Sequence, residues 1–308
     1  LTERPATTPG TSTPGASTPG ASTPMTEPDP TSLAYSGRIP PHAQMAQRAR
    51  RFGWWYYAEA YLRGMRAYAV PIAFYAVGQP VLYLVAMGIG LASLVSGGVG
   101  TVDDVDYLTF VAPALLVSTV VMSVSGEMTY PVMSGFKWQR LYYGPAASPV
   151  SAGQIAVGHF TAVAIRFTLQ SAIFWAVMQA FGASTQVLTS LLLVPIGVLA
   201  AMAFGALLQA YAATVKDEGF QFSFVQRFVV MPMFLFAGTF FPLSVMPVYL
   251  QWIGWISPVW HGTQLARVAS YGAEVDPWLM AVHLVFLLAC IVGGLVAGVR
   301  VYRRRLGA

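Results

Sequence analysis

Residues Met233 to Arg267 read MFLFAGTFFPLSVMPVYLQWIGWISPVWHGTQLAR. An apolar run ends at Gly238 and Phe241-Pro242, and a short segment follows that is punctuated by Pro247 and Pro258. Tyr249, Trp252, Trp255 and Trp260 crowd it. The segment is too polar and too broken to cross a bilayer as one straight helix, yet too aromatic for a solvated loop. Trp and Tyr prefer the headgroup region, and broken backbone at membrane depth is tolerated only where protein or a watery cavity covers it. This predicts a transmembrane helix that tops out at Pro242, then one or two short helices lying in or dipping into the outer leaflet. An ordinary extracytoplasmic loop is the competing reading.

Composition agrees with a membrane setting. Of 308 residues, 56% are hydrophobic and only 9% charged, against about 25% charged in a soluble domain. The net charge of +5 comes from arginines beside apolar runs rather than from a patch, so nucleic acid is not the expected partner and the positive-inside rule explains them better. Cys290 is the one cysteine, which excludes a disulfide framework and a cysteine-based metal site. Lysine occurs only at Lys137 and Lys216, the usage of a GC-rich bacterial genome.

Residues 1–47 read as a disordered tail. TSTPG, ASTPG and ASTPM form a five-residue near-repeat, and Thr, Pro, Ser and Gly neither bury a core nor hold a helix. The tail has neither the basic start nor the apolar centre of a signal peptide, and Met25 is a candidate start. From residue 48 to 66 the chain changes character. Trp54, Tyr57, Ala58, Tyr61, Leu62 and Met65 share one helical face, with Glu59, Arg63 and Arg66 on the other. That pattern predicts a helix in the cytoplasmic interface, its arginines drawn to anionic lipid; a mere flank of the first span is the plainer reading.

Residues 67–308 then divide into six apolar runs: Ala67–Val95, Tyr107–Gly126, Ile155–Phe181, Val187–Ala212, Phe222–Phe241 and Trp278–Val299. Each reaches or exceeds the ~20 residues a spanning helix needs. Basic residues cluster before the first run, between the second and third, and after the sixth, whereas the loop holding Asp103, Asp104 and Asp106 is acidic. Six spans with both termini in the cytoplasm satisfy this distribution. The fold expected is an all-α integral membrane protein with six transmembrane helices.

Several chemistries lack their residues. Neither lysine sits in G-x-x-x-x-G-K-[ST], the loop whose amides and lysine cradle phosphates. H-E-x-x-H and G-x-S-x-G are also missing, and His42, His159, His261 and His283 are scattered. An ion-coupled carrier or channel would show carboxylates within its spans or an internal repeat, and Glu127 is the closest approach. A membrane-embedded, glycolipid-processing enzyme would need a cluster of acids and histidines, for which only His261, Glu274 and Asp276 offer themselves. The chain is thus expected to have no catalytic residues, no metal and no energy source of its own.

Two sets of residues can carry function. The loop from Glu127 to Gln154 mixes aromatics with Lys137 and Arg140. Phe136, Trp138 and Leu141 could seat in a partner's groove while the basic pair meets its acidic rim; an interfacial helix touching only lipid is the alternative. Within the spans, His159, Arg166 and Gln170 share a face of the third run, and Arg227 lies early in the fifth. Snorkelling of the arginines explains them cheaply. The sharper expectation is a polar vestibule for an anionic or sugar headgroup, in which Arg166→Leu abolishes transport and spares folding. His261 and Arg267 either contact substrate leaving the pore or pair with Glu274 or Asp276. His283 receives no role.

The pattern F-x-x-x-G-x-x-F-P at Phe234, Gly238, Phe241 and Pro242, followed by Pro247, Ile256, Pro258 and Arg267, resembles the end of an ABC-2 type transporter permease. DYLTFVAPALL at Asp106–Leu116 and ASPVSAGQIAVG at Ala147–Gly158 are similar, within that group, to the subfamily containing nodulation lipo-oligosaccharide exporters. The resemblance covers the chain from about Arg48 onward. It implies an interfacial helix, six spans, a re-entrant outer segment before the last, and export of lipids, glycolipids, polysaccharides or hydrophobic drugs. It also implies two separate ATPase subunits, which hold the ATP and Mg, and a second permease copy or homologous permease. The coupling helix that docks on the ATPase falls on Met133, Phe136, Lys137, Trp138, Arg140, Leu141 and Tyr142. Small residues at Gly88, Gly90, Gly97 and Gly98, or at Gly293, Gly294 and Gly298, would allow close helix approach, and which of them forms the dimer seam stays open.

Overall fold

The computed structural model describes residues 41–91, 101–217 and 219–307. Residues 1–40 of the expected tail, and Gly97 and Gly98, lie outside them. Helix α1 is His42–Met65, and a 3-10 turn at Arg66–Tyr68 leads into α2, Ala69–Val85, which a π turn extends to Leu91. There follow α3 Tyr107–Glu127, α4 Tyr130–Phe136, α5 Tyr143–Ala146, α6 Ala152–Ala180, α7 Val187–Ser190 and α8 Leu193–Thr214. The last group is α9 Gln221–Val225, α10 Met231–Phe236, α11 Val248–Trp255, α12 Pro258–Tyr271 and α13 Pro277–Arg305. No strand occurs among the described residues. The helix start at His42 corrects the sequence reading, which carried the tail to residue 47.

Helix α3 is the centre of the bundle. Every residue from Thr109 to Val121 is buried. Its apolar residues occupy all sides rather than one stripe, and a helix hydrophobic all round is stable only when surrounded. Its neighbours are α8, α12, α6 and α2. Gly197, Gly205 and Gly262 let them in. An added Cβ would lie 2.7 Å from Leu116, 2.6 Å from Val124 and 2.9 Å from Val117 respectively.

The longest helix contact is between α8 and α13, and it is a small-residue seam. A Cβ on Gly294 would come 2.5 Å from the Ala206 carbonyl carbon, and one on Gly298 would lie 3.8 Å from Ala210. Gly294 and Gly298 on one helix thus meet Ala206 and Ala210 on the other, the four-residue spacing that lets backbones approach and gain dispersion contact without a hydrophobic driving force. Gly293, on the opposite side, meets nothing within 4 Å. The Gly294–Gly298 pair therefore closes the fold of one chain.

Five helical stretches among the described residues are long and apolar enough to cross a membrane: His42–Val85, Tyr107–Phe136, Ala152–Ala180, Val187–Thr214 and Pro277–Arg305. The expected fifth span is shorter. Gln221–Phe236 is apolar but is interrupted by a π turn at Gln226–Val230 and stops before Gly238. Sixteen residues at 1.5 Å each reach only about 24 Å of the ~30 Å hydrocarbon core. The chain reverses where Gly238 adopts φ +79, a left-handed conformation that costs glycine little. The reversal falls before the Pro242 at which the sequence reading placed it.

Candidate functional site

The ends of α1, α6, α8 and α13 that gather around the connection after α3 form an aromatic knot. Gly158 of α6 has no side chain to hold α1 away, because a Cβ there would overlap the Trp54 carbonyl oxygen. Ser151 and Gln154 make a capping box at the start of α6. The same Gln154 donates from Nε2 to the Arg50 carbonyl at 2.7 Å, clamping α1. As a result the face of α1 that the sequence assigned to lipid is turned inward. Tyr57 and Ala58 are buried on α6, whereas Trp55 and Tyr56 are exposed.

Within the knot, Phe136 lies edge-on to Tyr142 at 4.7 Å and to Tyr302 at 4.8 Å. Tyr302 donates its hydroxyl proton to the Tyr142 oxygen at 3.1 Å, and Tyr142 is 3.4 Å from Nδ1 of His159. Gln209 of α8 donates to the Ala156 carbonyl at 3.0 Å and to the Tyr302 hydroxyl at 3.4 Å. Arg305 places its guanidinium 4.2 Å from the Phe136 ring centre and caps α8 by donating to the Ala213 and Val215 carbonyls, both at 2.9 Å. Gly135 must lack a side chain, since a Cβ would overlap the Tyr142 ring.

Between these anchors hangs an outward loop. Phe136 is 3% exposed and Tyr142 1%, but Trp138 is 47% and Leu141 50% exposed. The loop is not helical: Arg140 has φ +51, and the amides of Gln139 and Arg140 both donate to the Ser134 carbonyl. Lys137 approaches Asp217 at 4.0 Å. The sequence expectation that Phe136 seats in a partner is thus corrected, as is the helical form given to this segment. Met133, Phe136 and Tyr142 face the chain's own core, leaving Lys137, Trp138, Gln139, Arg140 and Leu141 as the outward set.

Of the residues grouped as a polar path, His159 and Arg166 are joined through Tyr61 and Glu127. Arg166 makes an ion pair with Glu127 at 2.6 Å, and Tyr61 donates to the other Glu127 oxygen at 3.3 Å. Arg166 is therefore paired inside the chain, with its Nε without an acceptor among the described residues. His159 is buried under Tyr61, ring centres 4.7 Å apart. Gln170 donates to the Ser123 hydroxyl at 3.1 Å. Arg227 is exposed on the π turn.

The opposite end is organised by Arg267. This residue is 3% exposed, donates to the Gly238 carbonyl at 2.7 Å and lies over Phe110 at 3.9 Å. Helix α12 begins at Pro258, with Ser257 accepting from the Val259 amide. Pro242 leads into a 3-10 turn, Leu243–Val245, and Pro247 into α11. Phe241 is 38% exposed. His261 donates from Nε2 to the Trp255 carbonyl at 3.0 Å. With both rings neutral, its Nδ1 can only accept, so His283 donates Nδ1–H across 2.7 Å. Neither His261 nor Arg267 pairs with Glu274 or Asp276, which corrects that expectation. His283 and Tyr302 were missed. The tyrosine inside the run RVYRRR, Arg300 to Arg305, was the available signal, since arginines there already suit an interface and an aromatic among them needs its own reason.

Apolar helices of spanning length around a buried central helix, with broken short helices at one end, define a multi-pass membrane protein. A family model described as ABC-2 type transporter matches residues 55–271, and the chain belongs to that family. It is 27% identical to nodulation protein J of Rhizobium leguminosarum bv. viciae over 74% of this chain and 85% of that protein. It is 25% identical to nodulation protein J of Rhizobium meliloti (strain 1021) over 64% and 73%. It is also 24% identical to the inner membrane transport permease YadH of Escherichia coli (strain K12), over 68% and 82%. The chain is a transport permease.

Proposed function

We propose that this permease is the membrane part of an ATP-driven exporter that moves a lipid, a lipo-oligosaccharide or glycolipid, or a hydrophobic drug from the cytoplasm or inner leaflet. In this reading it lies in a bacterial plasma membrane with both termini cytoplasmic. It works with a second permease copy or a homologous permease and with two separate ATPase subunits that hold ATP and Mg. The loop Lys137–Leu141 is the docking point. The observation that carries this is the alternation of exposure there: Trp138 and Leu141 point outward while Phe136 and Tyr142, immediately beside them, are buried. In this reading a push on the loop reaches α6 through Tyr142 and His159, and α13 through Tyr142 and Tyr302.

Aromatic and arginine side chains are the commonest energetic anchors of protein interfaces, and Trp138 and Arg140 supply one of each. The test is co-purification with candidate ATPase subunits and vanadate-sensitive ATP hydrolysis in lipid. The double variant Trp138→Ala/Arg140→Glu is expected to lose the complex and the stimulated hydrolysis while eluting as folded protein. A permease that binds no ATPase and still moves lipid would overturn the reading. Proton coupling, the rival reading, would call on Glu127, and that carboxylate is engaged by Arg166 and Tyr61.

A further inference from the structure

One short file of hydrogen bonds joins α11, α12 and α13. His261 of α12 donates from Nε2 to the Trp255 carbonyl of α11 at 3.0 Å, and accepts at Nδ1 from His283 of α13 across 2.7 Å. Apolar rings enclose the pair. His261 stacks on Phe286 with ring centres 3.9 Å apart, and Trp260 stands edge-on to both imidazoles at 5.0 Å. His261 and His283 are both buried. The file holds two N–H groups for two acceptors. A further proton has one place to enter, Nε2 of His283.

That nitrogen is reachable. His283 lines a cavity of about 1100 Å³ at the end of the bundle where α13 begins. Its Nε2 has no partner among the described residues, yet is not one of the fully buried polar atoms in that condition. It therefore keeps contact with solvent, through the cavity. In the orientation proposed above, with the termini cytoplasmic, α13 begins on the outer side.

A proton taken at Nε2 makes an imidazolium among aromatic rings. Neither histidine has a described carboxylate within ion-pair range, and a buried unpaired charge costs far more than a neutral hydrogen bond gives. The charges that can answer it lie around the cavity. Asp103, Asp104, Glu274 and Asp276 are exposed there, with Arg267 and Tyr271 of α12 beside them. The other elements packed near the pair add little. Helix α8 holds only Tyr211 and α11 only Tyr249; α3 offers Tyr107 and the paired Glu127, and α6 offers His159 and Arg166, which lie in the knot and on Glu127. Turning His283 from His261 toward the acids places the ion where their field favours it. The ring then has two states, and only the neutral one ties α12 to α13.

We propose that the His261–His283 pair is an acid-sensitive latch: a proton from the cavity charges His283 and frees α11 and α12 from α13. Burial also holds the His261 ring below the ordinary imidazole range. A group depressed in this way gives stability that is full above its unfolded pKa of about 6.5 and is lost as pH falls. Both arguments carry the same sign, and the outer segment loosens in acid. Its bearing on export rests on the transporter reading above; the latch rests on the pair alone.

Hydrogen exchange of the permease by itself in nanodiscs, at about pH 7.5 and about pH 5.5, tests this on either side of the imidazole range. With exchange times scaled for the intrinsic rate, residues 248–271 are expected to open roughly fivefold more often in acid, the loss of one net hydrogen bond. Helices α3 and α8 should not change, and a return to neutral pH should restore protection. His283→Gln and His283→Asn each keep an amide donor for His261 and cannot be charged, so the difference should vanish in whichever elutes as folded protein. Equal exchange at both pH values, greater protection in acid, or a difference that survives in the folded variant overturns the proposal. With no ATPase present, none of these outcomes touches the docking role of Lys137–Leu141.

Discussion

Arg267 donates from Nη2 to the carbonyl oxygen of Gly238 at 2.7 Å, fastening α12 to the turn at which the short apolar segment reverses. Replacing Arg267 by Met removes that bond and the cation over Phe110, and leaves a buried carbonyl unpaired. The expected cost is about 2–3 kcal/mol, read as a lowered melting temperature in detergent. Gly238→Ala attacks the same joint from the other side through its φ of +79 and the Trp260 ring carbon at 3.3 Å. Roughly 1–2 kcal/mol is expected from the left-handed backbone alone. An Arg267→Met protein as stable as the parent would show that the joint holds nothing.

The two adjacent glycines of α13 give a matched pair. Gly294→Ala places a Cβ 2.5 Å from the α8 backbone, so the helices must part, at about 1–3 kcal/mol. Gly293→Ala meets nothing within 4 Å and is expected to be neutral or to stabilise by up to about 1 kcal/mol through helix propensity. Size-exclusion profiles and thermal melts of the two variants side by side separate packing from propensity.

Glu127 and Arg166 are expected to behave as a unit. Their side chains are 18% and 22% exposed, so the figure of ~3–5 kcal/mol for breaking a fully buried pair is discounted to about 2 kcal/mol. Arg166→Leu alone should therefore lower the yield of folded protein, contrary to the sequence expectation of a transport defect with folding spared. Glu127→Leu/Arg166→Leu should recover most of the loss, and a double variant as unstable as the sum of the singles would deny the coupling.

Arg140→Gly separates stability from docking. Its φ of +51 costs a non-glycine residue about 1 kcal/mol, so the variant should melt at the same temperature or higher. Under the proposed role of the loop, ATPase retention and stimulated hydrolysis should fall in the same protein. Full retention would remove Arg140 from the docking set.

Much of the architecture was legible because it depends on runs of one residue type. Tyr107–Gly126 holds no charged residue, and the structure puts a helix over Tyr107–Glu127. The Pro and Trp punctuation after Gly238 announced short broken helices, and α11 and α12 are short. The side-chain partners were not legible. Arg267 chose a backbone carbonyl over the nearby carboxylates, and every residue offers a carbonyl, so sequence contains no mark of that choice. Phe136 and Trp138 are two aromatics two residues apart, and the partners that turn Phe136 inward include Tyr302 and Arg305 from the far end of the chain. Arg166 found Glu127 across two helices, a pairing that depends on their rotation about their own axes and not on their spacing along the chain.

The junction of Gly294 and Gly298 with Ala206 and Ala210 has a consequence for the order of assembly. Complementary small-residue ridges are the surfaces best able to hold two membrane helices together, and here each chain has satisfied one with its own helix. Under the proposed pairing, a second copy meets a monomer in which that ridge is already covered. In that proposal folding comes first and association second. Conditions that dissociate two such copies should leave each one intact.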